Sequence, residues 1–250
     1  MLHVPHASLL VPDDITFLLT REQVEHELLV MTDRYTDELF ALPAELATAV
    51  RFPVSRIVVD PERFVDDSDE PMAAKGMGAI YERTSSGESL RQSPSAEERR
   101  TLLARFYEPH HAALTQAVQA ALDVHGSVLV LDCHSFPARA LPYEADQNPD
   151  RPDICIGTDT NHTPEWLRDH AIRSFAELGW SVAVDRPFAG ALVPMRFYRK
   201  DPRVRALMVE VNRRLYMDEQ SGAKLSGFDQ VRERIRGAVK TIAGFEPSSP

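Results

Sequence analysis

The sequence predicts one α/β domain with a mainly parallel sheet, and two observations support this fold class. Val128 to Leu131 is an unbroken apolar run between Gly126 and Pro137, which is typical of a central strand buried on both faces. Strand-like segments also alternate with segments of helical periodicity along the chain. At 250 residues the chain can bury a full core, and it contains no evident linker or repeat. We therefore expect a single domain over residues 1–245 and a disordered Pro/Ser tail at 246–250.

The composition excludes several classes of function. The formal net charge is −10 and no long Lys/Arg run occurs, which argues against a nucleic-acid partner. No apolar run approaches the roughly 18 residues of a membrane-spanning helix, and the first residues resemble a strand instead of a signal segment. The two cysteines, Cys133 and Cys155, lie in apolar runs and indicate buried thiols in a reducing compartment. We expect a cytoplasmic protein without a membrane partner, and a homo-oligomer stays open.

The other elements follow from local patterns. Thr20 is a plausible N-cap for a helix that could continue or restart at Thr32 or Asp33, and Ser95 with Glu98 forms a capping box. Pro109 predicts a kink in the second helix. Further strands are expected at 1–4, 56–60, 154–157, 180–184 and 206–212, further helices after Thr163 and Ser226, and a long functional loop at 66–92.

Polar residues stand out where predicted strands end. His6, His134 and Glu210 follow or close apolar runs, as do Asp60 and Arg63 after the run at 56–60. The carboxyl ends of parallel strands gather on one edge of a sheet, so these residues could share a cleft.

Two of these residues have a purely structural alternative. His134 lies on the same strand face as Asp132, because side chains alternate, and could be a core histidine satisfied by that carboxylate. Glu210 lies in apolar surroundings, where an unpaired charge is costly, and could form a salt bridge with Arg213 or Arg214.

The spacing of two further carboxylates in the sequence also indicates a possible cation site. Asp33 and Asp37 are four residues apart, so on a helix they would lie on one face and repel unless a cation lies between them. An exposed pair on a solvated face is the alternative. Two histidines with one or more carboxylates suit a catalytic zinc ion, although the HExxH and CxxC motifs are absent.

Several runs together resemble the N-formylglutamate amidohydrolase family. They occur in the family's order and span residues 1 to about 219: His3-Val-Pro-His-Ala-Ser8, Thr32-Asp-Arg-Tyr-Thr-Asp-Glu-Leu-Phe40, Ser55-Arg-Ile-Val-Val-Asp-Pro-Glu-Arg63, Asp132-Cys-His-Ser135, Arg186-Pro-Phe-Ala-Gly190 and Ala206-Leu-Met-Val-Glu210. The family resembles zinc exopeptidases of the carboxypeptidase type, with a mixed, mainly parallel sheet between helices. The resemblance thus implies a zinc-dependent hydrolase that cleaves the amide bond of an N-acyl amino acid such as N-formyl-L-glutamate.

The resemblance also implies roles for individual residues. His6 and His134 match the two histidine ligands of a single zinc ion, and Glu210 matches the general base and acid. Carboxypeptidase-type sites take the third ligand from a His-x-x-Glu motif, but Leu9 stands three residues after His6. The third ligand must come from elsewhere, with Asp33 as the first choice and Asp37 as the second.

Two arginines match positions where the family holds a basic residue beside the site. Arg56 and Arg63 would bind a carboxylate of a small-molecule substrate, or else pair with Asp66, Asp67 and Asp69 of the following loop. The sequence departs from the family at Glu62, where asparagine is usual, and at Ala191, where a second glycine is usual. Another N-acyl substrate, a short peptide, or non-catalytic binding of a small acidic ligand are the alternatives.

Overall fold

The computed structural model describes residues 1–245, and the tail expected at 246–250 lies outside them. Six strands form one sheet, in the order β2-β1-β3-β6-β4-β5. All neighbouring strands pair in parallel except β4 and β6, which are antiparallel. The strands are β1 (Leu2–Val4), β2 (Ala49–Arg51), β3 (Val128–Phe136), β4 (Ile154–Gly157), β5 (Val182–Val184) and β6 (Val204–Asn212). The expected α/β fold with a mixed, mainly parallel sheet is confirmed.

The two central strands, β3 and β6, set the geometry of the site. Each is nine residues long, and they pair in register from Val128 opposite Val204 to Phe136 opposite Asn212. Within this ladder His134 lies opposite Glu210. The long-range pairing therefore brings two polar residues together at the carboxyl edge of the sheet.

Helices cover both faces of the sheet. Leu131 packs in one core with residues of α2, α5 and α6, whereas Val130 packs on the opposite face with residues of α4. This alternation along β3 buries both faces, as the apolar run predicted. The helices are α1 (Arg21–Met31), α2 (Thr36–Leu39), α3 (Ala96–Leu102), α4 (Glu108–His125), α5 (Glu165–Ala176) and α6 (Phe228–Ala243). No helix within residues 1–245 is both long and apolar enough to cross a bilayer.

The helix starts expected at Thr20 and Ser95 are confirmed. Both residues cap their helices through a complete capping box, with Gln23 and Glu98 as the reciprocal partners. Two other starts differ by one residue each, because Pro164 is the N-cap of α5 and Gly227 that of α6. A π-helical segment, Leu103–Tyr107, links α3 to α4 and stands just before the kink expected at Pro109.

Two predictions near the site were wrong. Residues 56–60 form a buried turn instead of a strand, closed by a hydrogen bond from the Val58 amide to the Ser55 carbonyl (2.9 Å). The run is apolar because Ile57 and Val58 are fully buried, and burial gives the same pattern in a turn as in a strand. Asp33 is not on a helix, since α1 ends at Met31 and α2 begins at Thr36.

Candidate metal centre

Three buried side chains from separate elements converge at the carboxyl edge of the sheet. His6 follows β1, Asp33 lies in the turn between α1 and α2, and His134 lies near the end of β3. Each offers a ligand atom within 4.8 Å of the others. A hydrogen bond from the Asp33 amide to the His6 carbonyl (3.0 Å) fixes the turn beside the strand. Asp37, the second choice for the carboxylate, is not part of this group.

The ring of His6 is oriented so that one nitrogen is free. Its Nε2 lies 2.9 Å from Asp60 Oδ1, and a carboxylate only accepts, so Nε2 carries a proton. Its Nδ1 is buried, has no hydrogen-bond partner among the described residues, and lies 3.7 Å from Asp33 Oδ2. The neutral tautomer of His6 thus presents a bare nitrogen toward Asp33, which is the form that binds a metal.

His134 faces carboxylates on both sides. Its Nε2 lies 3.1 Å from Asp132 Oδ1 and 3.2 Å from Glu62, and its Nδ1 lies 3.1 Å from Asp33 Oδ2. Although burial lowers the pKa of His134, the surrounding carboxylates, Glu62 first among them, raise it well above its usual value. A divalent cation between Nδ1 and Asp33 would take the place of the proton that this arrangement otherwise requires.

The two distances to Asp33 suit one zinc ion that would be bound by His6, Asp33 and His134. Ligand atoms bonded to zinc at roughly 2.1 Å stand about 3.4 Å apart in a tetrahedron. Asp33 Oδ2 lies 3.7 Å from the Nδ1 of His6 and 3.1 Å from that of His134. Three protein ligands would leave the fourth position for water, as in a catalytic zinc site.

Hydrogen bonds and ion pairs with surrounding residues fix the positions of the three side chains. Tyr81 donates to Asp60 Oδ2 (2.6 Å) and Arg56 donates to the same oxygen (2.8 Å), so the partner of His6 is itself fixed. Arg213 Nη2 lies 3.0 Å from Asp33 Oδ1, the oxygen that faces away from the histidines. His3 Nδ1 lies 2.8 Å from Asp132 Oδ1. Such partners orient metal ligands and tune their basicity.

Glu210 is buried in the same cavity and forms no salt bridge with any residue of the described range 1–245. Within that range its Oε2 also has no hydrogen-bond partner, because Arg213 pairs with Asp33 and Arg214 with Asp153 (2.8 Å). Burial raises the pKa of Glu210 to about 8; His134 and Arg213 oppose this shift, and Asp33 and Glu62 add to it. A carboxyl with this perturbation in a cleft is typical of a proton-transfer residue. The structural alternative, pairing with Arg213 or Arg214, does not occur.

The two predicted substrate-binding arginines differ in how well they are paired. Arg56 is hydrogen-bonded to Asp60. In the described part of the chain, Arg63 has only long ion pairs, 3.7 Å to Asp60 and 3.9 Å to Glu70, and its Nε has no hydrogen-bond partner. Neither arginine pairs with Asp66, Asp67 or Asp69 among the ion pairs of the described residues. Both line the cavity of about 160 Å³ that also contains His6, Asp33, His134, Glu210 and Arg213.

Several contributing residues were missed by the sequence reasoning. Asp60 was noted at the end of its segment, but its contact with His6 spans 54 positions and has no local signal. Asp132 was considered only as a partner of His134, whereas it also contacts His3. Arg213 had a usable signal, because it follows Glu210 by three positions at the same strand end.

Comparison with known proteins identifies the family. The chain matches the family described as N-formylglutamate amidohydrolase over residues 1–217. The chain belongs to this family. This match confirms the family resemblance noted in the sequence.

Proteins related to this amidohydrolase family member share either the family's name or its fold. N-formylglutamate deformylase from Pseudomonas aeruginosa is 28% identical over 205 residues, which are 79% of this chain and 75% of the relative. A crystal structure of N-formylglutamate amidohydrolase from Ralstonia eutropha JMP134 superposes with a TM-score of 0.84 at 25% identity, covering 96% of this chain and 90% of that chain. A gene product from Agrobacterium tumefaciens shares the fold, with a TM-score of 0.65 at 18% identity and coverage of 97% and 90%.

Proposed function

We propose that this protein is a zinc-dependent amidohydrolase that cleaves N-formyl-L-glutamate to formate and L-glutamate. The observation that carries the proposal is the convergence of two histidine nitrogens and one carboxylate oxygen, those of His6, His134 and Asp33, at distances suited to one divalent ion. The names of the related proteins supply the substrate.

The proposed chemistry needs a metal and a base. A zinc ion at this position would polarise the amide carbonyl and lower the pKa of a water molecule toward about 7. Glu210 takes the proton of the attacking water and returns it to the leaving nitrogen. Glu210 lines the same cavity as the three proposed ligands, which supports its role as the proton acceptor and donor.

The arginines of the cavity suit a substrate with two carboxylates. Arg63 is the least satisfied cation there, because its ion pairs are long and its Nε has no hydrogen-bond partner within residues 1–245. Its side chain is 23% exposed and thus partly desolvated, and an incoming carboxylate would supply the close anion that it lacks. Arg56 and Arg213 line the same cavity and add positive potential, although each already contacts an aspartate.

Metal analysis combined with a substrate panel tests the proposal. Purified protein should contain one zinc per chain, lose hydrolysis of N-formyl-L-glutamate after chelation and regain it when zinc is added. N-formyl-L-glutamate should be turned over faster than N-formyl-L-glutamine, which has the same shape and one charge fewer. A protein that binds zinc but hydrolyses no member of the panel would be a non-catalytic binding protein, and the proposal would be wrong.

A further inference from the structure

A second chamber adjoins the cavity of the candidate metal centre. It encloses about 370 Å³ and shares Glu62, Arg63, Ala189 and Met208 with the smaller cavity of about 160 Å³. The two cavities therefore border one another at these four residues. A substrate group that projects past Arg63 from the metal centre would enter this chamber.

The chamber is lined mainly by apolar side chains, and two of them are unusually exposed. Phe64 is 49% exposed and Met195 is 61% exposed. Large apolar side chains that face a cleft together are typical of a binding site for an apolar group. The remaining apolar lining comes from Pro61, Tyr107, Ala189, Ala191, Leu192, Val193, Tyr198 and Met208.

The chamber wall is fixed relative to the reacting centre. The Leu192 amide donates to Asp132 Oδ2 (3.2 Å), while Oδ1 of the same carboxylate lies 3.1 Å from His134 Nε2. One aspartate thus positions both the chamber loop and a proposed metal ligand. This connection holds the Leu192 loop close to His134.

The distribution of charge indicates which half of the substrate enters the chamber. Arg56 and Arg213 line only the smaller cavity, and Arg63 lies at the boundary. The carboxylates of an N-acylglutamate would therefore stay in the smaller cavity, which leaves the acyl end to extend outward. A formyl group carries only hydrogen beyond its carbonyl and would not reach the chamber walls.

We propose that the chamber binds the apolar chain of an N-acyl group, so that the protein also hydrolyses N-acyl-L-glutamates with acyl groups larger than formyl. The proposal rests on the proposed amidohydrolase function. Water adds to the acyl carbon, the C–N bond breaks, and the proton passes to the leaving nitrogen, which yields a carboxylic acid and L-glutamate. The same bonds form and break for every acyl group.

The test compares N-formyl-, N-acetyl- and N-hexanoyl-L-glutamate in the zinc-loaded protein. N-hexanoyl-L-glutamate should be hydrolysed with a kcat/KM at least equal to that of the acetyl compound. Met195→Asp and Phe64→Asp place a charge in the apolar chamber and should each lower the hexanoyl-to-formyl ratio of kcat/KM by about 10-fold or more. Both side chains are exposed, so the fold should tolerate the changes.

Val124→Asp is the matched control, because Val124 is 75% exposed at the end of α4 and outside the chamber lining. This variant should leave the hexanoyl-to-formyl ratio of kcat/KM unchanged.

Binding measurements separate this proposal from the proposed function. Calorimetry with N-hexanoyl-L-glutamate should show weaker binding to the Met195→Asp protein than to the unmodified protein. If N-formyl-L-glutamate is not hydrolysed but this difference is found, the amidohydrolase function fails and the chamber assignment stands. If the formyl compound is hydrolysed and the hexanoyl compound neither binds nor reacts, the chamber assignment is wrong. It is also wrong if the variants weaken N-formyl-L-norleucine selectively, since the chamber would then hold the amino-acid side chain.

Discussion

His6 and Asp60 form a buried pair in which Nε2 of His6 donates a hydrogen bond to the Asp60 carboxylate (2.9 Å) and Nδ1 of His6 faces Asp33. Asp60 is fully buried, and its pKa lies well below the usual range because Arg56 and His6 outweigh the burial that would raise it. The pair therefore fixes the tautomer that a metal requires.

Asp60→Asn should weaken zinc binding by about 10- to 100-fold, because the amide keeps the size of the side chain and loses the charge that orients His6. Competition with a chelator measures the affinity, and a melting curve verifies that the variant folds. Asp67→Asn is the control, since Asp67 pairs with Arg99 on the surface (2.8 Å). Unchanged affinity in the Asp60 variant would show that the pair does not act on the metal.

The identity of the carboxylate ligand is tested by a pair of variants. Asp33→Asn should abolish stoichiometric zinc binding, because a neutral amide oxygen is a poorer zinc ligand than a carboxylate. Asp37→Asn should leave zinc content unchanged, since Asp37 lies on α2 outside the cluster. Metal analysis of both proteins decides, and loss of zinc from the Asp37 variant alone would reverse the assignment.

The parts of the site that the sequence predicted are those governed by strand alternation and chain order. Apolar runs located β1, β3 and β6, and parallel pairing brings their carboxyl ends together. His134 and Glu210 could be placed near one another on that basis. Their exact neighbours could not be predicted, because contacts such as Arg213 with Asp33, 180 positions apart, depend on tertiary packing.

Both errors arose where a local sequence pattern fits more than one backbone conformation. Residues 56–60 are apolar because they are buried, and periodicity alone does not distinguish a buried strand from a buried turn. Asp33 was placed on a helix because the helix after Thr20 was expected to continue or restart at Thr32 or Asp33, whereas Thr32 is extended and Tyr35 has a positive φ of 69°, so the helix is interrupted between them. That interruption directs Asp33 toward His6.

The stability of the protein should depend on the ionisation of Glu27. This side chain on α1 is buried, and it accepts hydrogen bonds from the Ser85 amide (2.6 Å) and hydroxyl (2.8 Å). Burial raises its pKa above the usual 4.5 despite those bonds, so the folded state favours the protonated form. Stability from this group is therefore fully present below 4.5 and is lost as the pH rises through the raised folded-state pKa.

Glu27→Gln removes this ionisation and retains the size and an acceptor oxygen. Compared with the unmodified protein, the variant should gain stability progressively as the pH rises from 4.5 through the raised pKa. Urea unfolding at a series of pH values measures the difference. Glu25→Gln, at an exposed position of the same helix, should leave the pH dependence unchanged. A constant difference between the Glu27 variant and the unmodified protein at all pH values would contradict the prediction.

Glu210→Gln should lower kcat by about two to four orders of magnitude and leave zinc content nearly intact, because glutamine keeps the size and cannot accept the proton. Single-turnover hydrolysis of N-formyl-L-glutamate and metal analysis of the same sample provide the two readouts. Glu219→Gln is a control on a neighbouring carboxylate outside the lining of the cavity. An unchanged kcat in the Glu210 variant would assign the base function to another group.

The last prediction concerns substrate selectivity and Arg63. Arg63→Ala should weaken transition-state binding of N-formyl-L-glutamate by about 1.5 to 3 kcal/mol, because a charge-assisted hydrogen bond to a carboxylate is lost. An uncharged N-formyl amide lacks that carboxylate and should be affected much less. Arg99→Ala is the matched control, since the side chains of Arg99 and Arg63 are 22% and 23% exposed, but Arg99 pairs with Asp67 away from the cavity. The ratio of kcat/KM for the charged and uncharged compounds is the measurement. Equal losses on both would mean that Arg63 stabilises the turn that carries Asp60, and selectivity for acidic substrates would then have to arise from Arg56 or Arg213.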